Sequence, residues 1–195
     1  MTHNEGQAGT TDYDFIVTLS NSSSQTITVN AATADSTGTT ADSDYAGVAS
    51  TPLTFSPSTT TQHFHVLVNG DSKFEPNEAF LVNLTTPTNA TISDNQGLGT
   101  ITNDDTQPTI SITDVTHNEG QAGTTDYDFI VTLSNSSSQT ITVNAATADS
   151  TGTTADSDYA SVASTPLTFS PSTTTQHFHV LVNGDSSSNR MKRSS

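Results

Sequence analysis

The segment Gln62-His63-Phe64-His65-Val66-Leu67-Val68 decides how this chain is read. Phe64, Val66 and Val68 fall on one side of an extended backbone, with His63 and His65 on the other, because successive strand side chains point to opposite faces. The same seven residues return at 176–182. They belong to a longer recurrence: residues 2–71 repeat as 116–185, differing only at Gly47 against Ser161. The spacing, 114 residues, is too long for a solenoid unit of roughly 20–50 residues. It fits one β-sandwich of about 100 residues plus a link.

Working outward, the same period-two pattern recurs. Phe15, Val17 and Leu19 share a face, as do Ile27, Val29 and Ala31, and Phe80, Val82 and Leu84. Leu98 is assigned inward on a last strand. Thr, Val and aromatic residues favour pleated, half-buried surfaces, and no 3.6-residue apolar period persists. In domain order, strands are predicted at 109–113, 12–20, 25–34, 51–56, 61–69, 79–85 and 97–103. The fold class is all-β: tandem immunoglobulin-like antiparallel sandwiches, both truncated. The first repeat spans 1–105 and lacks the first strand. The second spans 106–185 and lacks the last two. Residues 186–195 are read as a disordered tail. The truncations are expected to leave open sheet edges, which invite pairing between chains.

Composition narrows function. There are no cysteines, 4 Lys and Arg, and 20 Asp and Glu, giving a net charge of −16. Arg190, Lys192 and Arg193 lie in the tail, so Lys73 is the single base among residues 1–185. Such a surface repels nucleic acid. No run approaches the ~20 apolar residues of a membrane helix, so direct membrane insertion is not expected. The polar start is not a signal peptide. A hydrolase is not expected either: no serine sits in a Gly-x-Ser-x-Gly turn, and no aromatic platform accompanies the paired acids.

If each successive strand reverses, four separate segments meet at one pole. They bring Glu5, Asp12 and Asp14; Asp35, Asp42 and Asp44; Asp71, Glu75 and Glu78; and Asp104 with Asp105. The other pole receives Asp94 alone. Like charges packed together destabilise a fold unless neutralised. Calcium, taking six to eight oxygen ligands in tolerant geometry, is the natural counter-ion. A solvated acidic pole is the plain alternative. His63 and His65 are read as exposed strand histidines, with no third His or Cys to complete a metal site.

The stretches NEGQAGTTDYDFIVTLS (4–20), TADSTGTTADSDY (33–45), LTFSPSTTTQHFHVLVNGDSKFEPNEAFLVNL (53–84) and GLGTITNDD (97–105) resemble the Calx-beta domain, a family known from sodium/calcium exchangers and long bacterial surface proteins. The resemblance implies calcium ligands at Glu5, Asp35, Asp71, the Lys73 carbonyl, Glu75, Glu78, Asp104 and Asp105. An incomplete second set would be Glu119, Asp149 and Asp185. The chain departs from the exchanger pattern in a shorter acidic run at Asp71 and in Asn103 opening the closing run. It implies a calcium-binding structural or adhesive repeat of an extracellular or cell-surface protein. Neighbouring repeats would be its partners, with calcium stiffening the joint. The alternative is a calcium-dependent module binding a glycan or surface protein.

Overall fold

A computed structural model describes residues 1–185; the tail assignment at 186–195 lies outside the described residues. The chain divides into two compact units, Met1–Thr106 and Gln107–Ser195. Among the described residues there is no helix.

The first unit comprises β1 (Thr2–Asn4), β2 (Gly9–Thr18), β3 (Ile27–Asp35), β4 (Thr51–Phe55), β5 (Thr61–Gly70), β6 (Glu78–Thr88) and β7 (Gln96–Thr102). Five strands form one sheet in the order β1-β7-β6-β3-β4, and β2 pairs with β5 in the other. β3 runs antiparallel to β4 and β6, β6 to β7, and β2 to β5. That alternation gathers the connections β1–β2, β3–β4 and β5–β6, and the residues after β7, at one pole.

Three details differ from the sequence-based expectation. Thr2–Asn4 forms a strand, paired in parallel with Thr100–Thr102; it covers the edge of β7. β2 starts at Gly9, earlier than expected, so Asp12 and Asp14 lie within the strand rather than at the acidic pole. Their side chains point away from buried Tyr13, toward His65 and His63. Leu98 is 51% exposed, whereas Ile101 is buried. The inward face of β7 is Gly97, Gly99 and Ile101. A Cβ on Gly99 would sit 2.5 Å from the Phe80 ring, so this position must be bare for Phe80 to lie there.

Phe80 centres the core. Its ring stacks on Tyr45 at 4.6 Å and meets Tyr13 at 5.5 Å and Phe15 at 5.8 Å. Phe80 and Tyr13 are fully buried. Removing so buried an aromatic costs about 3–5 kcal/mol.

The second unit comprises β8 (Ile110–Ile112), β9 (Thr124–Leu133), β10 (Ile141–Ala145), β11 (Thr165–Phe169) and β12 (Thr175–Asn183). One sheet orders as β12-β9-β8, and β10 pairs with β11. No described strand here corresponds to β6 or β7. A trough of about 590 Å³ stands in their place, lined among others by Tyr127, Phe129, Tyr159, Phe178, Val180 and Val182.

Candidate functional site

The pole of the first unit is assembled from backbone contacts before any acid is placed. Glu5 N donates to Thr102 O at 3.2 Å, docking the β1–β2 turn against the end of β7. Gly70, the last residue of β5, approaches that turn so closely that a Cβ would lie 2.3 Å from Gly6 O and 2.7 Å from Glu5 O. Gly38 N donates to Ala79 O at 2.8 Å, and Ala79 N to Thr37 Oγ1 at 2.8 Å. These bonds tie the β3–β4 connection to the start of β6. Four distant stretches are thereby held together.

Asparagines organise the last stretch. Asn103 N donates to Asn77 Oδ1 at 3.0 Å, Glu75 N to Asn103 Oδ1 at 3.3 Å, and Asn103 Nδ2 to Asp105 O at 3.2 Å. Asn103 thus links the β5–β6 connection to the residues after β7. A carboxylate there can accept but not donate, so it cannot make the same bridge.

Onto this frame the carboxylates converge. Glu5, Glu75 and Asp105 are buried. Burial raises the Glu5 carboxyl to about 7, and the negative charges of Glu75, Asp105, Asp71 and Asp104 push in the same direction. Burial likewise raises Asp105, opposed by a hydrogen bond from Gln7. Glu78 is pushed up to about 8, first by burial and then by its hydrogen bond to and repulsion from Asp44. Asp44, Glu75 and Glu78 each offer an oxygen, all within 4.8 Å of one another. Asp104 is exposed and accepts from Gly6 N at 3.2 Å. Asp71 is exposed and accepts from Lys73 N at 2.7 Å.

Two of the anticipated residues have side-chain partners within the protein. Lys73 enters through its ammonium, which pairs with Glu75; burial of the lysine opposes its charge, but the acids around it raise its pKa overall. Asp35 is exposed and already held by Tyr45 Oη at 2.6 Å and Thr40 N at 3.1 Å. These bonds, Tyr45 foremost, keep its carboxyl below the usual range. Asp44 was absent from the expected ligand set, though it belonged to the same connection. Its neighbour Tyr45 is a core residue, and Asp44 is held by Thr39 N, which donates to its Oδ2 at 2.6 Å, and by Asn69 N, which donates to its carbonyl at 2.9 Å.

Glu5 Oε1 and Asp105 Oδ2 are buried without a hydrogen-bond partner. Leaving a buried polar atom unpaired costs on the order of 1–3 kcal/mol, and more for a charged one. Both atoms are carboxylate oxygens, hard donors of the kind calcium takes.

The second unit keeps Glu119, Asp149 and Asp185, all exposed. Asp149 repeats the bonds of Asp35, accepting from Tyr159 Oη at 2.6 Å and Thr154 N at 3.0 Å.

Curated proteins yield no match to the chain. Similar solved structures include CBD12 from CALX1.2, 22% identical with a TM-score of 0.48, over 93% of this chain and 72% of that one. They also include the calcium binding domain CBD12 of CALX1.1, 22% identical with a TM-score of 0.49, over 92% and 71%. The apo-form Calx CBD1 domain is 23% identical with a TM-score of 0.43, over 53% and 89%. The Calx-beta domain family matches residues 3–114 and again 102–193; the chain belongs to that family, carrying its domain twice.

Proposed function

We propose that this chain is a calcium-binding structural repeat, with the acidic pole of the first unit as its ion site. The observation that carries the reading is the pair of buried, partnerless carboxylate oxygens on Glu5 and Asp105. These residues stand at opposite ends of the unit's sequence. Glu75, Glu78, Asp44, Asp71 and Asp104 supply further oxygens around them. Bound calcium lowers the repulsion and locks the connections together; the protein's part is to hold carboxylates that it cannot neutralise alone. The solved structures it resembles include one described as a calcium binding domain, which accords with this reading.

The wider role is a spacer or adhesive repeat of an extracellular or cell-surface protein, stiffened by calcium at Asp104 and Asp105 beside the link that follows. The glycan-binding alternative needs an exposed aromatic near the ion. Tyr13 and Tyr45 are buried, and Phe74, between Lys73 and Glu75 in the pole's own connection, is half-buried.

The test is a thermal melt of the full chain in calcium and in EDTA. At a hundred times the dissociation constant, calcium stabilises its unit by about 2.7 kcal/mol. For a unit of this size the midpoint rises by roughly 10 °C or more. Glu5→Gln with Asp105→Asn abolishes the rise. An unchanged midpoint in the parent chain reduces the pole to a solvated acidic surface.

A further inference from the structure

The outward face of β2 and β5 carries a second constellation, remote in chemistry from the pole. Antiparallel pairing sets Asp14 opposite His65 and Asp12 opposite Leu67, with His63 opposite Ile16. His63 Nδ1 lies 2.8 Å from Asp14 Oδ2, and His65 Nδ1 lies 2.9 Å from Asp12 Oδ2. His65 Nε2 is 3.9 Å from Asp14 Oδ1. The two imidazoles stack nearly parallel, 16° apart, with centroids 6.2 Å apart.

The second unit repeats the arrangement on β9 and β12. His177 Nδ1 is 2.8 Å from Asp128 Oδ2, His179 Nδ1 is 2.9 Å from Asp126 Oδ2, and His179 Nδ1 is 3.9 Å from Asp128 Oδ1. Asp128, His177 and His179 each offer a ligand atom, all within 4.8 Å of one another. All four side chains of each set reach solvent, so an ion enters without opening the fold.

We propose that these two sheet faces are binding sites for a borderline divalent ion of the zinc type, held by Asp128, His177 and His179 in the second unit, with Asp126 beside them, and by their copies Asp14, His63 and His65 in the first, with Asp12 beside them. The donor set decides the class of ion. Two imidazoles with carboxylates suit zinc, copper or nickel, whereas calcium prefers oxygen alone. The spacing agrees. Tetrahedral zinc with bonds of about 2.0–2.1 Å sets its ligands about 3.3 Å apart. The nitrogen–oxygen separations, 2.8 to 3.9 Å, bracket that edge, and the ligand atoms of Asp128, His177 and His179 all fall within 4.8 Å of one another. Small side-chain rotations replace the direct imidazole–carboxylate hydrogen bonds with an ion between the groups. Strand backbones hold the donors, so little ordering is left to binding.

The test is a zinc titration of the full chain by calorimetry in calcium-saturated buffer, which keeps the acidic pole occupied. Two equivalents of zinc are expected. His63→Gln with His65→Gln removes one and His177→Gln with His179→Gln the other, each weakening its site at least about tenfold. These positions are exposed, and far-UV circular dichroism and the melting midpoint verify that the variants fold. Cobalt in place of zinc is expected to show intense tetrahedral visible bands, lost in the variant carrying all four substitutions. Zinc affinity in that variant within threefold of the parent overturns the proposal, as does zinc uptake seen only when calcium is withheld. A missing calcium response in the melt leaves this result untouched, so the two sites fail separately.

Discussion

Residues 2–71 and 116–185 are the same sequence at every position but one, yet they adopt different structures. Gly47 and Ser161, the single difference, are both exposed, and neither lies in a strand. Thr2–Asn4 is a strand; Thr116–Asn118 is not. β3 runs nine residues, Ile27–Asp35, whereas its copy β10 stops after five, at Ala145. The four residues that β10 omits correspond to part of the stretch that β6 pairs in the first unit. The missing Thr116–Asn118 strand corresponds to the one that pairs with β7. Strand formation here is a property of the partner, not of local propensity, as expected where β preference reflects cross-strand neighbours.

Burial tells the complementary story. Tyr13, Tyr45 and Val68 are buried in the first unit, while Tyr127, Tyr159 and Val182 are only half-buried. They lack the Phe80 ring. The sense reverses at the other edge. Leu133 and Val131 are buried beneath β8, but their copies Leu19 and Val17 are half-buried because the first unit has no such strand against β2. Each copy shows what its missing strand covers in the other.

The largest effect comes from closing that gap. Grafting a second Ser72–Asp105 segment after Asp185 places a copy of Phe80 in the trough lined by Tyr127, Phe129 and Tyr159. Its burial contributes roughly 3–5 kcal/mol, and the second unit is expected to melt more than 10 °C higher. Ala146 and Ala148, outside any strand now, are expected to become protected from amide hydrogen exchange as β10 lengthens, whereas Thr147 N already donates to Val162 O at 3.1 Å. A Phe→Ala change within the graft returns most of the loss. If the grafted chain melts no higher, the trough is not a mould for these strands.

The pole separates the copies next. Glu5 is buried with a carboxyl raised from 4.5 to about 7, whereas Glu119 is exposed. The folded first unit therefore holds a proton that its unfolded chain has released. The Glu5 contribution to calcium-free stability is fully present below about pH 4.5 and is lost as pH rises through about 7. For Glu5 alone the loss is roughly 3 kcal/mol. In EDTA the first unit is expected to melt lower at pH 8 than at pH 5, with Glu5→Gln reducing the slope, Glu78 keeping part of it, and calcium at pH 8 reversing it. A first-unit midpoint that rises with pH in EDTA contradicts the buried acid.

Much of this was legible in the repeat and in the period-two alternation, because inward residues such as Phe64, Val66 and Val68 carry their own signature. Leu98 was misjudged because glycines face inward on β7: an absent side chain leaves no apolar mark, and Gly99 matters through what it lets Phe80 do. The gathering of four acidic stretches followed from strand reversal alone. Which acids are buried did not. Asp12 and Asp14 seemed polar-end acids until the register set them beside histidines. Asp44 is held by Thr39 and Asn69, partners that spacing does not reveal.

The smallest effect tests the other edge. Leu19 and Leu133 are the same residue in the same local sequence, so intrinsic propensity and the unfolded state cancel when their alanine variants are compared. What remains is cover. Leu133 sits beneath Ile110, its cross-strand partner on β8, and is 7% exposed; Leu19 has no equivalent neighbour. Leu133→Ala is expected to cost the second unit about 2–3 kcal/mol, and Leu19→Ala about 1 kcal/mol less in the first, since the cavity term grows with enclosure. Urea unfolding followed by a probe in each unit measures both. Equal costs would mean that β8 adds strand pairing without adding core, and the reciprocity between the two edges would hold for hydrogen bonds but not for packing.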